Sequence, residues 1–532
     1  LTSLVTLSNL YSITSDIMKH HCSAETVGNM EDSTLNATLA VLVAFIIYLI
    51  LRLKGATRSL PPAPPSIPII GHLHLLKPPM HRTFQRLSFK YGHVFHFRFG
   101  SHLAVIISSA SAADECFTKN DIALANRPHL SIISKHVNYN FTTMTTAPYG
   151  DLWRDLRRIG SIDIFSTRRL NMFTQIRQDE VRRLIVELCS ESRGFAFTPL
   201  KLKQKLLDLT FNNIMRMVAG KRYYGNDAET LFAEATEFKE LMAAILSKSG
   251  ITHKEDFLPV LKLFNRGKFE EDVKILAKRT DEFLGRLIEE HRHVGKPYSD
   301  DTMIGHLLSL QESQPEFYHD VTIKGLILVM LLAGTDTSAV TMEWAMSYLV
   351  NDPGVLEKAK REIDCVVGEE RIVGEVDIPN LRYLNGVITE TLRLQPAAPL
   401  LLPHFSSKEC VIGGYRVPRE TMVIVNAWAI HRDAAVWEDA ESFRPERFLG
   451  DSKLERNVLM PFGMGRRACP GSALALRVVG ITLASLVQCF EWRRIGDELV
   501  DMTEGIGTIV SRANPLEIHC RPRSIAHKLL IK

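Results

Sequence analysis

The chemistry of this chain concentrates at one cysteine and one acid–alcohol pair. Cys469 ends the loop Phe462-Gly463-Met464-Gly465-Arg466-Arg467-Ala468-Cys469-Pro470-Gly471. Glycines at 463 and 465 permit a tight loop with close backbone approach. Pro470 suits the first position of a helix beginning just after the cysteine. A helix N-terminus favours negative charge, and so a thiolate. Loop N–H groups aimed at the sulfur would tune its electron release. The plain alternative is a buried structural cysteine. The second group is Ala333-Gly334-Thr335-Asp336-Thr337-Ser338, within a run that is apolar and helix-periodic from Val321 to Val350. An acid and an alcohol inside such a helix are costly to desolvate unless they have work to do. Thr337 can bond back into the helical ladder and open it, leaving a groove beside Gly334 for dioxygen and water. Asp336 and Thr337 would then relay protons.

Three weaker patterns accompany these. Glu390 and Arg393 lie three apart, on one helix face. Alone that pair says nothing, because such bridges are common on solvated faces. Arg447 falls in Phe443-Arg444-Pro445-Glu446-Arg447-Phe448, and Trp153 and Arg157 lie four apart. Arg154, Arg158 and Arg466 are candidates for a basic patch that docks an acidic electron donor; an ordinary solvated face explains them equally well.

The pattern FxxGxRxCxG resembles the haem-binding loop of the cytochrome P-450 superfamily, and five fixed positions in ten argue against coincidence. Ala333–Ser338 is similar to that superfamily's oxygen-activation motif. The resemblance implies a mainly α fold with minor β, holding haem b by an axial thiolate from Cys469, with Phe462 and Gly465 in the binding loop. It implies that Trp153 and Arg157 face the haem edge, and that Arg157, His404 and Arg467 pair its propionates. Glu390, Arg393 and Arg447 would form one buried structural network.

Finer wording narrows the likeness. Leu331–Trp344, Pro399–His404, Ala427–Asp433 and Asp501–Gly505 resemble the plant family of isoflavone 2′/3′-hydroxylases and sesamin synthase. Thr508–Arg512 (TIVSR) departs from the proline-bearing sequence usual there. By resemblance, segments 131–146, 211–218, 329–337, 397–402 and 506–509 wall the pocket, with Ala333, Gly334, Ala398, Leu400, Leu401, Ile506 and Thr508 facing substrate. Most are apolar or small, which suits a small, flat, apolar molecule. The implied reaction is hydroxylation of a phenolic or terpenoid plant metabolite, using O2 and electrons from NADPH through a flavoprotein reductase. Methylenedioxy-bridge closure or oxidative coupling is the alternative. An oxygen-independent isomerase would not need the intact Asp336–Thr337 pair. A haem carrier without turnover is the reading from another class.

Elements must position these groups. His93–Phe99 alternates and Leu103–Ile107 is β-branched, which predicts a hairpin across Gly100-Ser101. Helical patterns fill about 168–295, 381–394 and 472–490, with a strand at Thr421–Asn426. The run over 321–350 predicts one helix of about 45 Å. Leu35–Leu51 is uncharged, preceded by Glu31 and Asp32 and followed by Arg52, Lys54 and Arg58. Seventeen residues span about 25 Å, enough for a thin bilayer. The flanking charges put everything beyond it in the cytosol, which predicts a single-pass endoplasmic-reticulum anchor over 30–54. A cleaved signal peptide is the rival, but its basic residues would precede the apolar run. Five prolines in 61–68 make 55–72 a stiff hinge. The catalytic domain is expected over 73–522, with a tail at 523–532 and residues 1–29 outside the native mature protein.

The 532 residues carry 64 basic and 60 acidic side chains, a net charge of +4. That balance is too even for nucleic acid as the main partner. Eight scattered cysteines with no CxxC pair argue against a disulfide scaffold or a zinc knuckle.

Overall fold

The computed structural model describes residues 60–530 apart from 193–195, 226–231, 250–253, 259–260, 262–266, 295–297, 299 and 451–457. The expected anchor, the stretch 1–29 and the first part of the hinge lie outside the described residues. From Pro61 onward the chain forms one compact unit.

Helix α1 (Met80–Tyr91) leads into the expected hairpin, β1 (Val94–Phe99) and β2 (His102–Ile107), paired antiparallel with Val94 opposite Ile107. Phe95, Phe97 and Phe99 alternate inward and are fully buried. His96, on the other face, is also buried. The proline segment covers it: His96 Nδ1 meets the Pro61 carbonyl at 2.6 Å, and its backbone N–H donates to Pro62 at 2.8 Å. Prolines keep their carbonyls free as acceptors, so this segment docks through them. The sheet continues with β7 (Met422–Val425), parallel to β2, and β4 (His404–Phe405). A second sheet joins β3 (Thr198–Lys201), β9 (Glu517–Pro522) and β8 (Phe490–Arg494), and β5 (Cys410–Ile412) and β6 (Tyr415–Val417) pair separately.

Helices make the rest. The expected pattern over 168–295 resolves into several, among them α6 (Leu202–Ala219), α7 (Phe232–Lys248) and α8 (Lys268–Val294); α2 (Ala110–Phe117), α3 (Ile132–Val137), α4 (Asp151–Ile159) and α5 (Thr174–Glu191) precede them. On α8 the buried residues Val273, Leu276, Thr280, Phe283, Leu284, Leu287 and Ile288 follow the spacing of one helical face. The predicted 45 Å helix is two: α9 (Asp320–Gly334) and α10 (Asp336–Asn351), parted at Thr335. Thr335 has ψ of −75°, which takes the backbone off the α-helical path. α11 (Arg382–Leu394) and α12 (Ser472–Cys489) follow. The run 320–351 and α12 are apolar enough to cross a membrane, but both are mostly buried inside the protein. They read as core helices, since a helix apolar on all sides must be covered on all sides.

Candidate active site

Cys469 lies where the loop after Met460 meets α12. Its N–H donates to the Phe462 carbonyl at 2.8 Å, which closes the loop on itself. The helix begins at Ser472, capped by Gly471, so Pro470 precedes the first turn and does not start it. Gly465 has φ of +67°, and a Cβ there would sit 2.5 Å from Asp121 Oδ1. Only glycine meets both demands. Burial pushes the Cys469 thiol up; N–H groups of Gly471 and Ser472 and the nearby Arg157 pull the other way. That surrounding favours the thiolate once a cation compensates the desolvation.

The sulfur faces a cavity of about 600 Å³. Ala333, Gly334, Asp336, Thr337, Ala398, Leu401, Ile506 and Thr508 line it, as do Trp153, Arg157, His404, Phe462 and Arg467. Leu400 does not: it is buried with Phe84 and Phe97 in the core beside the first sheet. Of the expected wall 211–218 only Asn213 and Ile214 reach the cavity, because Phe211 turns into a cluster with Tyr223, Tyr224 and Phe238. Leu246, Ser247 and Ser249, at and just beyond the end of α7, form a wall that sequence reasoning missed. Thr508–Arg512 does fold back over the site. Val510 N–H donates to Ala397 at 3.0 Å, Gly505 N–H to Ser511 at 2.7 Å, and Arg512 reaches Ser347 Oγ at 2.9 Å. Glu504 fastens the start of that segment through His81 (2.9 Å), Arg82 (2.7 Å) and Trp428 (3.2 Å).

Across the cavity the helix opens at Thr335, as the position of Thr337 predicts. Thr337 Oγ1 donates to Ala333 at 2.7 Å, spanning the break. Burial raises the pKa of Asp336, opposed by the charge of Lys203. Burial that disfavours the carboxylate favours the protonated form, which is the form a proton donor needs.

The rim carries more positive charge than it carries partners. Arg157 donates to the Ala468 carbonyl at 2.7 Å. Arg467 donates to Ala125 (2.6 Å) and Ala147 (2.5 Å), and its guanidinium lies 4.4 Å from the Trp153 ring centre. The Trp153 indole N–H goes to the Met144 carbonyl, 3.2 Å away. Burial with the charges of Arg127 and Arg157 lowers Arg467 to about 9. His404 is held neutral, lowered to about 3 by burial and by Arg127 and Arg467; its Nδ1 meets the Leu124 carbonyl at 2.8 Å. Arg127, absent from the sequence reasoning, donates to Leu402 and Pro403, and its buried Nε has no partner among the described residues. Its only signal was an arginine before a proline between apolar stretches. Three guanidiniums that meet no carboxylate among the described residues fit a dianionic ligand. A thiolate at the cavity wall, and cations at the rim to meet two propionate carboxylates, are what haem would require.

The expected network is present. Glu390 and Arg393 are both fully buried and bidentate, at 2.7 and 2.8 Å. Arg447 Nε reaches Glu390 at 3.2 Å. The expected basic patch is largely neutralised instead: Arg154 pairs with Asp151, Arg158 with Asp155 (3.6 Å) and Arg466 with Asp121 (3.2 Å).

Comparison with known proteins agrees with this geometry. A family profile described as Cytochrome P450 matches residues 61–519. The chain is 50% identical to an isoflavone 2′-hydroxylase of Glycyrrhiza echinata, over 93% of this chain and 99% of that one. It is 52% identical to an isoflavone 3′-hydroxylase of Medicago truncatula (91% and 97%). It is 48% identical to (+)-piperitol/(+)-sesamin synthase of Sesamum radiatum (94% and 99%). A solved zebra fish cytochrome P450 with abiraterone shares the fold with a TM-score of 0.70 at 24% identity, covering 84% of this chain and all of that one. Loop, broken helix and cationic rim therefore have one common explanation: the chain belongs to the cytochrome P450 family of haem-thiolate monooxygenases.

Proposed function

We propose that this enzyme hydroxylates a flat, apolar plant metabolite, of phenolic, isoflavonoid-like or terpenoid type. The observation that carries the reading is the cavity itself: Ala333, Ala398, Leu401 and Ile506 present apolar surface in the same space as Asp336, Thr337 and Cys469. Such a space excludes water from a C–H bond while keeping one acid within it. Relatives named isoflavone 2′- and 3′-hydroxylase support the substrate class.

The residues divide the work. Cys469 would ligate the haem iron, and haem b supplies dioxygen activation by thiolate-assisted O–O cleavage. Arg127, Arg157 and Arg467 would neutralise the propionates, with His404 beside them. Asp336 holds the proton that oxygen reduction consumes, and Thr337 directs it across the helix break. Leu401 and Ile506 set the attitude of the substrate ring. Electrons come from NADPH through a flavoprotein reductase. We further assign residues 30–54 to a single-pass anchor in the endoplasmic-reticulum membrane, so that the catalytic unit faces the cytosol beside that reductase. The charge of Leu35–Leu51 and its flanks supports this. Of the expected hinge 55–72, the residues from Pro61 onward belong to the compact unit instead.

A second outcome, closure of a methylenedioxy bridge, draws support from the sesamin synthase relative. Microsomes co-expressing the protein and reductase, offered an isoflavonoid, lignan and diterpenoid panel, separate the two by mass spectrometry. Gain of one oxygen supports hydroxylation, and loss of two hydrogens supports bridge closure. Conversion of none, with the haem spectrum intact, would refute the substrate class.

A further inference from the structure

Asn213 sits on α6 and is 1% exposed. Its Nδ2 donates to the Leu209 carbonyl at 3.0 Å. Only nitrogen can face that carbonyl, so the amide orientation is settled. Its Oδ1 is buried and has no hydrogen-bond partner among the described residues. An amide oxygen is expensive to bury without a donor, so the position calls for one.

The neighbours do not supply it. Thr210, Thr337 and Thr341 line the same cavity, but each hydroxyl donates to a helix carbonyl. Ile214, the next residue, presses on the helix break: a Cβ on Gly334 would lie 2.8 Å from its Cδ1. The α6 and α10 walls of the cavity are polar, with Thr210 and Asn213 on one and Asp336, Thr337, Ser338 and Thr341 on the other. Lys203 acts from α6 on both Asp336 and Glu343, and Glu343 Oε2 is likewise buried without a partner among the described residues. Asn213 lines the same cavity as Asp336, and a buried acceptor without a donor there suits water better than it suits an apolar substrate.

We propose that Asn213 is a positioning residue whose Oδ1 holds the water that re-protonates Asp336, so that protons enter along the α6–α10 seam. The role rests on the relay function given to Asp336 and Thr337. The step balances without moving electrons. Asp336 gives its carboxyl proton to the oxygen being reduced. The water on Asn213 protonates the resulting carboxylate and regains its own proton from solvent.

The test uses microsomes with excess reductase, measuring NADPH oxidation in H2O and in D2O, with and without daidzein as probe. Asn213→Leu removes the acceptor at similar volume, Asn213→Ala removes it without bulk, and Asn213→Asp keeps it. We expect N213L and N213A to slow NADPH oxidation about tenfold, less than the full worth of a general acid, and to raise the solvent isotope effect. N213D should restore both. A purely structural residue would not move the isotope effect. The proposal is overturned if N213L and N213A keep the native isotope effect, or if they change only the affinity for daidzein, which would make Asn213 a substrate contact. Loss of the thiolate-type carbon monoxide band in both would assign Asn213 to packing and overturn it too. Asp336→Asn is the control. A raised isotope effect there with silent Asn213 variants sinks only the role of Asn213; silence in D336N as well sinks the relay.

Discussion

His431 ties the buried ion pair to the cysteine loop: its Nε2 accepts the backbone N–H of Met460 at 2.9 Å. Its Nδ1 meets the Arg393 carbonyl at 3.2 Å, and Arg393 in turn donates to the His431 carbonyl at 2.7 Å. Burial, with the charges of Arg432 and Arg393, lowers His431 to about 3, so the ring is neutral and can donate on one side while it accepts on the other. Met460 O then accepts from Gly463 N–H at 3.0 Å, at the start of the loop that ends in Cys469. A pair that alone says nothing in sequence is therefore joined by hydrogen bonds to the loop that carries Cys469.

The first prediction follows from that chain. Arg393→Ala leaves Glu390 fully buried without its main partner, which should cost about 3–5 kcal/mol. Urea unfolding should show the loss, and haem content should fall with it. Normal stability in R393A would separate the pair from the core.

Cys469→Ala should abolish the thiolate-type carbon monoxide difference band while the far-ultraviolet dichroism stays helical. A retained band would move the iron ligand elsewhere.

Thr337→Ala removes the hydroxyl bonded to Ala333 across the break. The pigment should persist, but more of the NADPH should be lost as hydrogen peroxide, with product per NADPH down about tenfold or more. Unchanged coupling would remove Thr337 from the relay.

Arg127→Leu deletes a rim cation with little change of bulk. Haem should transfer to an acceptor apoprotein about tenfold faster or more, because one charge pair to a propionate is lost. An unaltered transfer rate would mean that Arg127 serves only the Leu402 and Pro403 carbonyls.

Glu504 provides a pH signature. Burial would raise its carboxyl, but hydrogen bonds from His81 and Arg82 outweigh that and hold it at about 2, against 4.5 ordinarily. A depressed acid stabilises the fold above its unfolded pKa and loses that contribution as pH falls through the folded value, so the window lies between about 4.5 and 2. The shift corresponds to about 3 kcal/mol at neutral pH. Glu504→Gln should lower the melting temperature at pH 7, and the gap to wild type should narrow at pH 4. A gap that does not change with pH would show that the carboxyl charge is not what holds the loop.

Sequence reading found what is contiguous and missed what is assembled. The cysteine loop, the acid–alcohol pair and the hairpin were visible because each is specified by neighbours within about fifteen residues. The helix over 321–350 was visible in extent, and Thr337 signalled that it opens, but its division into two helices was not visible, because apolar periodicity runs through the single residue Thr335. Leu400 and Leu401 are adjacent, and one faces the core while the other faces the cavity. Leu401 takes φ of +52°, a turn that no hydrophobic pattern encodes. Arg127 and Asn213 went unnoticed because their meaning lies in missing partners, which only three dimensions reveal.

The division at Thr335 has a mechanical consequence. The second half, α10, is wedged among α6, α11, α12 and β8, whereas α9 leans mainly on α6 and α8. Val329 and Met330, which a guest would meet, belong to α9, whereas Asp336 and Thr337 belong to α10. Width of the guest space and the proton-bearing pair are thus carried by separately braced segments.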